Sequence, residues 1–236
     1  GDSAFYNCSG LTGSLTIPEG VTVIGSSAFD GCSGLTSITI PESVTSIEAS
    51  VFYNCSGLTS VTIPEGVTYI GDYAFYGCRD LTSVAIPEGV TSIKASVFFG
   101  CSGLTSVTIP ESVTSIGSSA FRDCRGLTSV TIPEGVTYIG DYAFYNCSGL
   151  TGSLTIPEGV TSIGYNVFAG CSSLASITIP SSVTEIGSSA FYGCSGLAEI
   201  TYLGTCSQWN SIRKNYWNSN TGNYTIHCTD GDIAKN

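Results

Sequence analysis

The sequence contains no methionine, one histidine and two tryptophans, and only seven of its 236 residues are Lys or Arg. Eighteen Asp and Glu stand against them, giving a formal net charge of −11. With so few cations the chain has no basic footprint. That excludes nucleic acid and an anionic membrane surface as partners, because both are held through clustered Lys and Arg. Charged residues of both signs together reach only 11%, against about a quarter in an ordinary globular domain. Long apolar runs are missing as well. None approaches the ~18 residues of a membrane-crossing helix, so no membrane insertion is expected of this segment. Catalytic signatures are missing in the same way: there is no P-loop, no G-x-S-x-G and no H-E-x-x-H. The lone His227 has no patterned partner, so no enzymatic activity, metal or cofactor is expected.

A strict period fills the chain instead. All eight prolines lie on one lattice, Pro18, Pro41, Pro64, Pro87, Pro110, Pro133, Pro157 and Pro180. Nine of the eleven cysteines keep the same beat, from Cys8 through Cys32, Cys55, Cys78, Cys101, Cys124, Cys147 and Cys171 to Cys194. The step is 23 residues, lengthened to 24 where a glycine is inserted, in Leu11-Thr-Gly-Ser-Leu15 and again in Leu150-Thr-Gly-Ser-Leu154. Self-similarity at such a period is the signature of a solenoid, in which each unit buries its apolar face only by stacking on its neighbours.

Residues 35–57, LTSITIPESVTSIEASVFYNCSG, represent the unit. Ile38 and Ile40 alternate with Ser37 and Thr39, as in a strand with one buried face. Pro41 then ends the ladder because it has no backbone donor. Val44 and Ile47 point two more aliphatics inward. The Ala-Phe or Val-Phe segment that leads to the cysteine is too short for a stable α-helix, and a single helical or 3₁₀ turn is expected there. Stacking should place equivalent residues ~4.8 Å apart, creating ladders of aliphatic side chains, phenylalanines and cysteines. Thiols in single file cannot surround zinc, and their Cβ atoms lie too far apart for disulfides, so they are expected to fill one core slot per coil.

The pattern L-x-x-[IV]-x-I-P-x-x-V-x-x-I-G-x-x-[AV]-F-x-x-C resembles the BspA-like class of leucine-rich repeats, over residues 1 to about 200. The resemblance implies a curved, right-handed leucine-rich-repeat solenoid with a parallel sheet along its concave side. It further implies a bacterial cell-surface or extracellular location and a non-catalytic role in adhesion or in binding a protein or glycan on host or neighbouring cells. A structural spacer within a longer surface protein is the competing expectation. The expected division is a solenoid over 1–197 and a C-terminal cap over 198–236. In the cap, G-T-x-x-Q-W and I-H-C-T-D-G resemble stretches common at the ends of BspA-like arrays. Glu199–Tyr202 reads as a last strand, Ser207–Ile212 as a short helical turn and Tyr224–Cys228 as a closing strand. Cys206 and Cys228 lie off the lattice and are candidates for a disulfide. Residues 1–10 read as half a repeat, so the chain is expected to be cut from a longer array, with weak self-association at its uncapped N-terminal edge.

Two surface features are candidate sites. The run Tyr69-Ile-Gly-Asp72-Tyr73-Ala-Phe75-Tyr76 recurs as Tyr138-Ile-Gly-Asp141-Tyr142-Ala-Phe144-Tyr145. Its tyrosines are expected to be exposed in two clusters roughly 14 Å apart, and exposed tyrosines are favoured interface anchors. Tyr53, Phe99, Tyr165 and Tyr192 could extend them. The second feature is an acidic row of Glu19, Glu42, Glu65, Glu88, Glu111, Glu134 and Glu158, each following a lattice proline. It reads as a solvated turn or as a docking stripe for Ca²⁺ or a cationic protein. A row of equivalent carboxylates offers no acid/base division of labour and therefore no glycosidase site.

Overall fold

The structure, a computed structural model, describes residues 1–235. It is a parallel-sheet β-solenoid of about 9 turns with ~23 residues per turn. The L-x-x-[IV]-x-I segments supply the longer strands. Gly13–Thr16, Leu35–Thr39, Ser60–Thr62, Ser83–Ala85 and Ser106–Thr108 form one five-stranded sheet. Gly152–Thr155, Leu174–Ile179, Glu199–Tyr202, Thr225–Cys228 and Gly231–Ala234 form another. The V-x-x-I segments give two-residue strands in three-stranded sheets, such as Val23–Ile24, Ser46–Ile47 and Tyr69–Ile70. Pairing runs in parallel between equivalent positions, as in Ile38 with Val61 and Ile47 with Ile70.

The long sheet is split at the coil that precedes the second inserted glycine. Gly152 sits at φ 74°, and the register slips between it and Ser153. This is a β-bulge in the left-handed region that glycine adopts without penalty. The coil before it, residues 127–132, forms no strand. That coil is tied on by the Thr151 N–H and Oγ1, which donate to the Thr128 carbonyl at 3.1 and 3.3 Å. Val130 is left half-buried, whereas Val61, Val84 and Val107 are buried.

Inside, nine phenylalanines stack from Phe5 to Phe191 with ring centroids 5.2 to 5.7 Å apart. Beside them run the thiols, which do more than fill space. Cys55 Sγ donates to the Phe29 carbonyl at 3.0 Å, Cys124 to Phe98 at 3.0 Å and Cys194 to Phe168 at 3.1 Å, each time reaching back one coil. The same carbonyl also accepts an amide from its own coil, as Phe29 does from Cys32 at 3.1 Å. Burial pushes the Cys55 and Cys194 thiols up to about 12, so they remain protonated donors at neutral pH. All eleven cysteines are free thiols.

The helical or 3₁₀ turn expected before each cysteine does not form. Amides there alternate in direction. Those of Ser27, Phe29 and Gly31 reach the Ala49, Val51 and Tyr53 carbonyls of the next coil at 2.9, 2.9 and 2.8 Å. Those of Ala28, Asp30 and Cys32 close turns within the coil at 3.2, 3.2 and 3.1 Å. A residue at positive φ sets this alternation: Ser27, Ser50, Tyr73, Ser96, Ser119, Tyr142, Asn166 and Ser189 have φ between 54° and 60°. A helix would keep every amide inside its own coil; the alternation shares them with the neighbour.

At the C-terminus the ladders continue one step and are then sealed. The Tyr216, Trp217 and Ser219 carbonyls accept the amides of Ser189, Phe191 and Gly193 at 3.0, 2.8 and 3.0 Å, imitating a further coil. Trp217 closes the phenylalanine stack edge-on, 5.8 Å from Phe191. Thr205 and Gln208 form a capping box that starts the helix Cys206–Ser211. Trp209 of this helix packs against Tyr202 and Trp217, at 5.3 and 5.8 Å. The final strand Gly231–Ala234 turns back antiparallel on Thr225–Cys228, an element the sequence reading does not contain. His227 Nδ1 meets Asp232 Oδ1 across this hairpin at 2.9 Å, a structural employment for the single histidine.

Candidate interaction surface

One residue beyond each lattice phenylalanine runs an outer column, Tyr6, Asp30, Tyr53, Tyr76, Phe99, Arg122, Tyr145, Ala169 and Tyr192, exposed or half-buried except at the buried Ala169. Stacking makes its middle part, from Tyr53 to Tyr145, a continuous strip. Tyr76 lies between Tyr53 and Phe99, with centroids 4.5 and 4.6 Å away and planes within 15°. Arg122 takes the place of a ring further along. Its guanidinium is 5.2 Å from Phe99, 4.8 Å from Tyr145 and 5.2 Å from Tyr142, within cation–π range of all three. Asp123 steadies it, 3.6 Å from Arg122 Nε, while also accepting from Arg125 at 3.1 Å and Asn146 at 2.7 Å.

The two clusters expected to stand apart are thus joined through Phe99 and Arg122. Tyr69, Tyr73 and Tyr138 are exposed as expected, while Tyr76, Tyr142 and Tyr145 are half-buried by their stacking partners. Lys94 covers Tyr69 at 5.8 Å. Asp72 and Asp141 are employed inside the fold. Each accepts a backbone amide from the next coil at 2.8 Å, Ala95 N–H and Tyr165 N–H respectively. They position the turn that carries the tyrosines and are not free to serve as charged anchors alone.

Downstream of Arg122 the strip opens into a cleft of about 390 Å³ lined by Arg122, Tyr142, Tyr145, Tyr165, Asn166, Ser189 and Tyr192. The outer column has only Ala169 between Tyr145 and Tyr192, so those rings stand apart instead of stacking. Tyr165 meets Tyr142 edge-on at 5.2 Å, and Tyr142 meets Tyr145 at 5.6 Å. The cleft therefore combines four aromatic faces, one guanidinium and two small polar side chains. Arg122, Asn166 and Ser189 are the members sequence reasoning missed, and Arg122 is the only charged one. The signal for Arg122 was present: it occupies the position after a lattice phenylalanine where the neighbouring units carry Phe99 and Tyr145.

The seven glutamates following the prolines are exposed. Among the described residues none of them enters an ion pair. They form a solvated edge without a preorganised cation cage. The one group of three metal-capable donors gathered within 4.8 Å, among the described residues, is Cys206, Cys228 and Asp230. Among the described residues, no helix is long and apolar enough to cross a membrane.

A coil with a parallel strand, a proline-terminated ladder and a phenylalanine–cysteine core defines a leucine-rich-repeat solenoid of bacterial surface-protein type. The family model for the BspA type leucine rich repeat region matches over residues 1–128 and 95–228, and the chain belongs to this family. Among solved structures it is similar to a leucine rich cell surface protein from Faecalibacterium prausnitzii, at 34% identity and TM-score 0.60, over 91% of this chain and 72% of that one. A leucine rich repeat protein of T. pallidum matches at 30% identity and TM-score 0.63, over 69% of this chain and 78% of the other. A leucine-rich repeat protein from Bacteroides ovatus matches at 28% identity and TM-score 0.51, over 92% and 60%. No curated protein matches the chain.

Proposed function

We propose that the chain is a non-catalytic interaction module of a bacterial surface protein, and that it engages a partner protein through the Tyr53–Tyr192 strip and its cleft. The observation carrying this reading is the set of four tyrosines gathered about Arg122. Tyr142 is held there at φ 60°, and its counterpart Tyr73 has the same φ, at a position where other coils place Ser or Asn. A bulky side chain in the left-handed region costs of order 1 kcal/mol, and such strain is tolerated where it serves a site. Broad, rigid aromatic rings lose little entropy on burial, which suits them to anchor an interface. Surface placement is supported by the likeness to the F. prausnitzii cell surface protein. Adhesion is the role such a module would serve.

The test is attachment of the purified chain to immobilised matrix proteins, mucins and co-resident bacteria, compared with the double variant Tyr165→Ala/Tyr192→Ala. Both side chains are more than two-fifths exposed, at 44% and 46%, so the fold and its melting temperature should be unaffected. Loss of at least about 2 kcal/mol in binding is expected, as for aromatic hot spots. A spacer predicts the same attachment from both proteins, and that result overturns the reading.

A further inference from the structure

The two cysteines off the lattice are brought together in the cap by elements that begin far apart in sequence. Cys206 is the first residue of the helix Cys206–Ser211, and Cys228 the last of the strand Thr225–Cys228. Asp230 lies in the two-residue turn leading to the strand Gly231–Ala234. Two hydrogen bonds clamp this turn to the helix start: Thr229 N–H donates to the Gly204 carbonyl at 2.9 Å, and Cys206 N–H to Asp230 Oδ1 at 2.7 Å. Both sulfurs and a carboxylate oxygen then lie within 4.8 Å of one another. Both cysteines are half-buried and Asp230 is exposed, so the cluster faces solvent on one side.

We propose that Cys206, Cys228 and Asp230 bind a divalent zinc ion that locks the terminal hairpin to the cap helix. Two thiolates and a carboxylate suit a borderline-soft cation better than Ca²⁺ or Mg²⁺, which take oxygen donors. Tetrahedral zinc with Zn–S of ~2.3 Å and Zn–O of ~2.1 Å needs donors roughly 3.5–3.8 Å apart. The observed grouping reaches that by small side-chain rotations, because the backbone is already pinned on both sides. Water fills the fourth position, on the exposed side. The buried lattice cysteines, Cys32 to Cys194, cannot compete: they stand in single file with their thiols committed to phenylalanine carbonyls. The proposal is independent of the aromatic strip.

The experiment uses the full chain in the Cys8→Ser background, which removes the one exposed lattice thiol. The reduced protein is titrated with Co²⁺ under anaerobic conditions, and the thiolate-to-cobalt charge-transfer absorption is followed. One equivalent should saturate the band, zinc should displace it, and Cys206→Ser and Cys228→Ser should each abolish it. Asp230→Asn should weaken binding at least about tenfold, as loss of even an outer partner does. This third variant keeps the side-chain shape and the acceptor for Cys206 N–H, which guards against loss of signal through misfolding. Zinc should also raise the melting temperature of the parent and not of Cys228→Ser. Absence of the band in the reduced parent, or its persistence in either serine variant, overturns the site. So does native thiol labelling of the protein as isolated that finds Cys206 and Cys228 already joined as a disulfide.

Discussion

Two columns run side by side through this molecule, one residue apart in sequence, and they obey different rules. The inner column is phenylalanine in every coil from Phe5 to Phe191, closed by Trp217. The outer column, one position later, holds Tyr, Asp, Phe, Arg and Ala. Phe52, Phe75, Phe98, Phe121, Phe144, Phe168 and Phe191 are fully buried, and each ring is floor to one neighbour and ceiling to the next. Any other side chain there would leave a gap or a clash in both directions. Most outer residues meet water on one side, so a guanidinium can stand where its neighbours have rings; Ala169, whose small side chain is buried, is the exception. Uniformity marks what holds the coils together; variation marks where a coil can acquire something of its own.

The largest single-residue test of that difference is a pair of adjacent substitutions. Phe98→Ala removes a ring stacked on both faces, and should cost ~3–5 kcal/mol of stability in denaturant melts. Phe99→Ala removes the stack with Tyr76 and Arg122 at the surface, and should cost only about 1 kcal/mol. Equal losses would erase the distinction between the columns. Alkaline unfolding tests the inner column as a whole, and with several thiols acting together its effect matches or exceeds that of Phe98→Ala. Burial raises the Cys55 thiol from its ordinary 9.0 to about 12. Its contribution to stability is complete below pH 9 and lost as pH rises towards 12, because only the unfolded thiol ionises in that window. The slope is about 1.4 kcal/mol per pH unit for each such thiol. Urea melts at pH 8, 9.5 and 11 should fall with a slope that exceeds this value, since several thiols share the inner environment. A flat response would mean that the thiols are open to water. The smallest effect belongs to the outer column: Arg122→Lys keeps the charge but loses the planar group between Phe99 and Tyr145, and should cost under about 1 kcal/mol while weakening attachment through the cleft.

The inner column is legible in the sequence, because burial forces repetition and repetition is visible as a period. Pro41 and its equivalents marked the strand ends, and Phe52 and Cys55 marked the core rungs. Backbone direction was not legible. Nothing in Ser27 or Ser50 announces a left-handed residue, since serine tolerates several conformations, and so a helical turn was expected where amides alternate between coils. The aromatic site was half legible. Tyr69–Tyr76 and Tyr138–Tyr145 stood out as copies, whereas Arg122 was hidden because its role depends on the residues one coil to either side of it. The hairpin after Cys228 escaped for a related reason: the cap has no repeats to average over, and its antiparallel return is fixed by pairs such as Ile226 with Ile233, which no period reveals.

The backward reach of each thiol to the phenylalanine of the coil before has a consequence for how the array comes apart. Each coil that peels uncovers one more sulfur beyond the exposed Cys8 and the half-buried Cys206 and Cys228, so the number of further sulfurs an alkylating reagent can reach gauges how many coils have frayed. Mass spectrometry after brief labelling would resolve this as a ladder of discrete adducts, telling whether the solenoid unzips rung by rung or fails all at once. The cysteines make the molecule its own ruler.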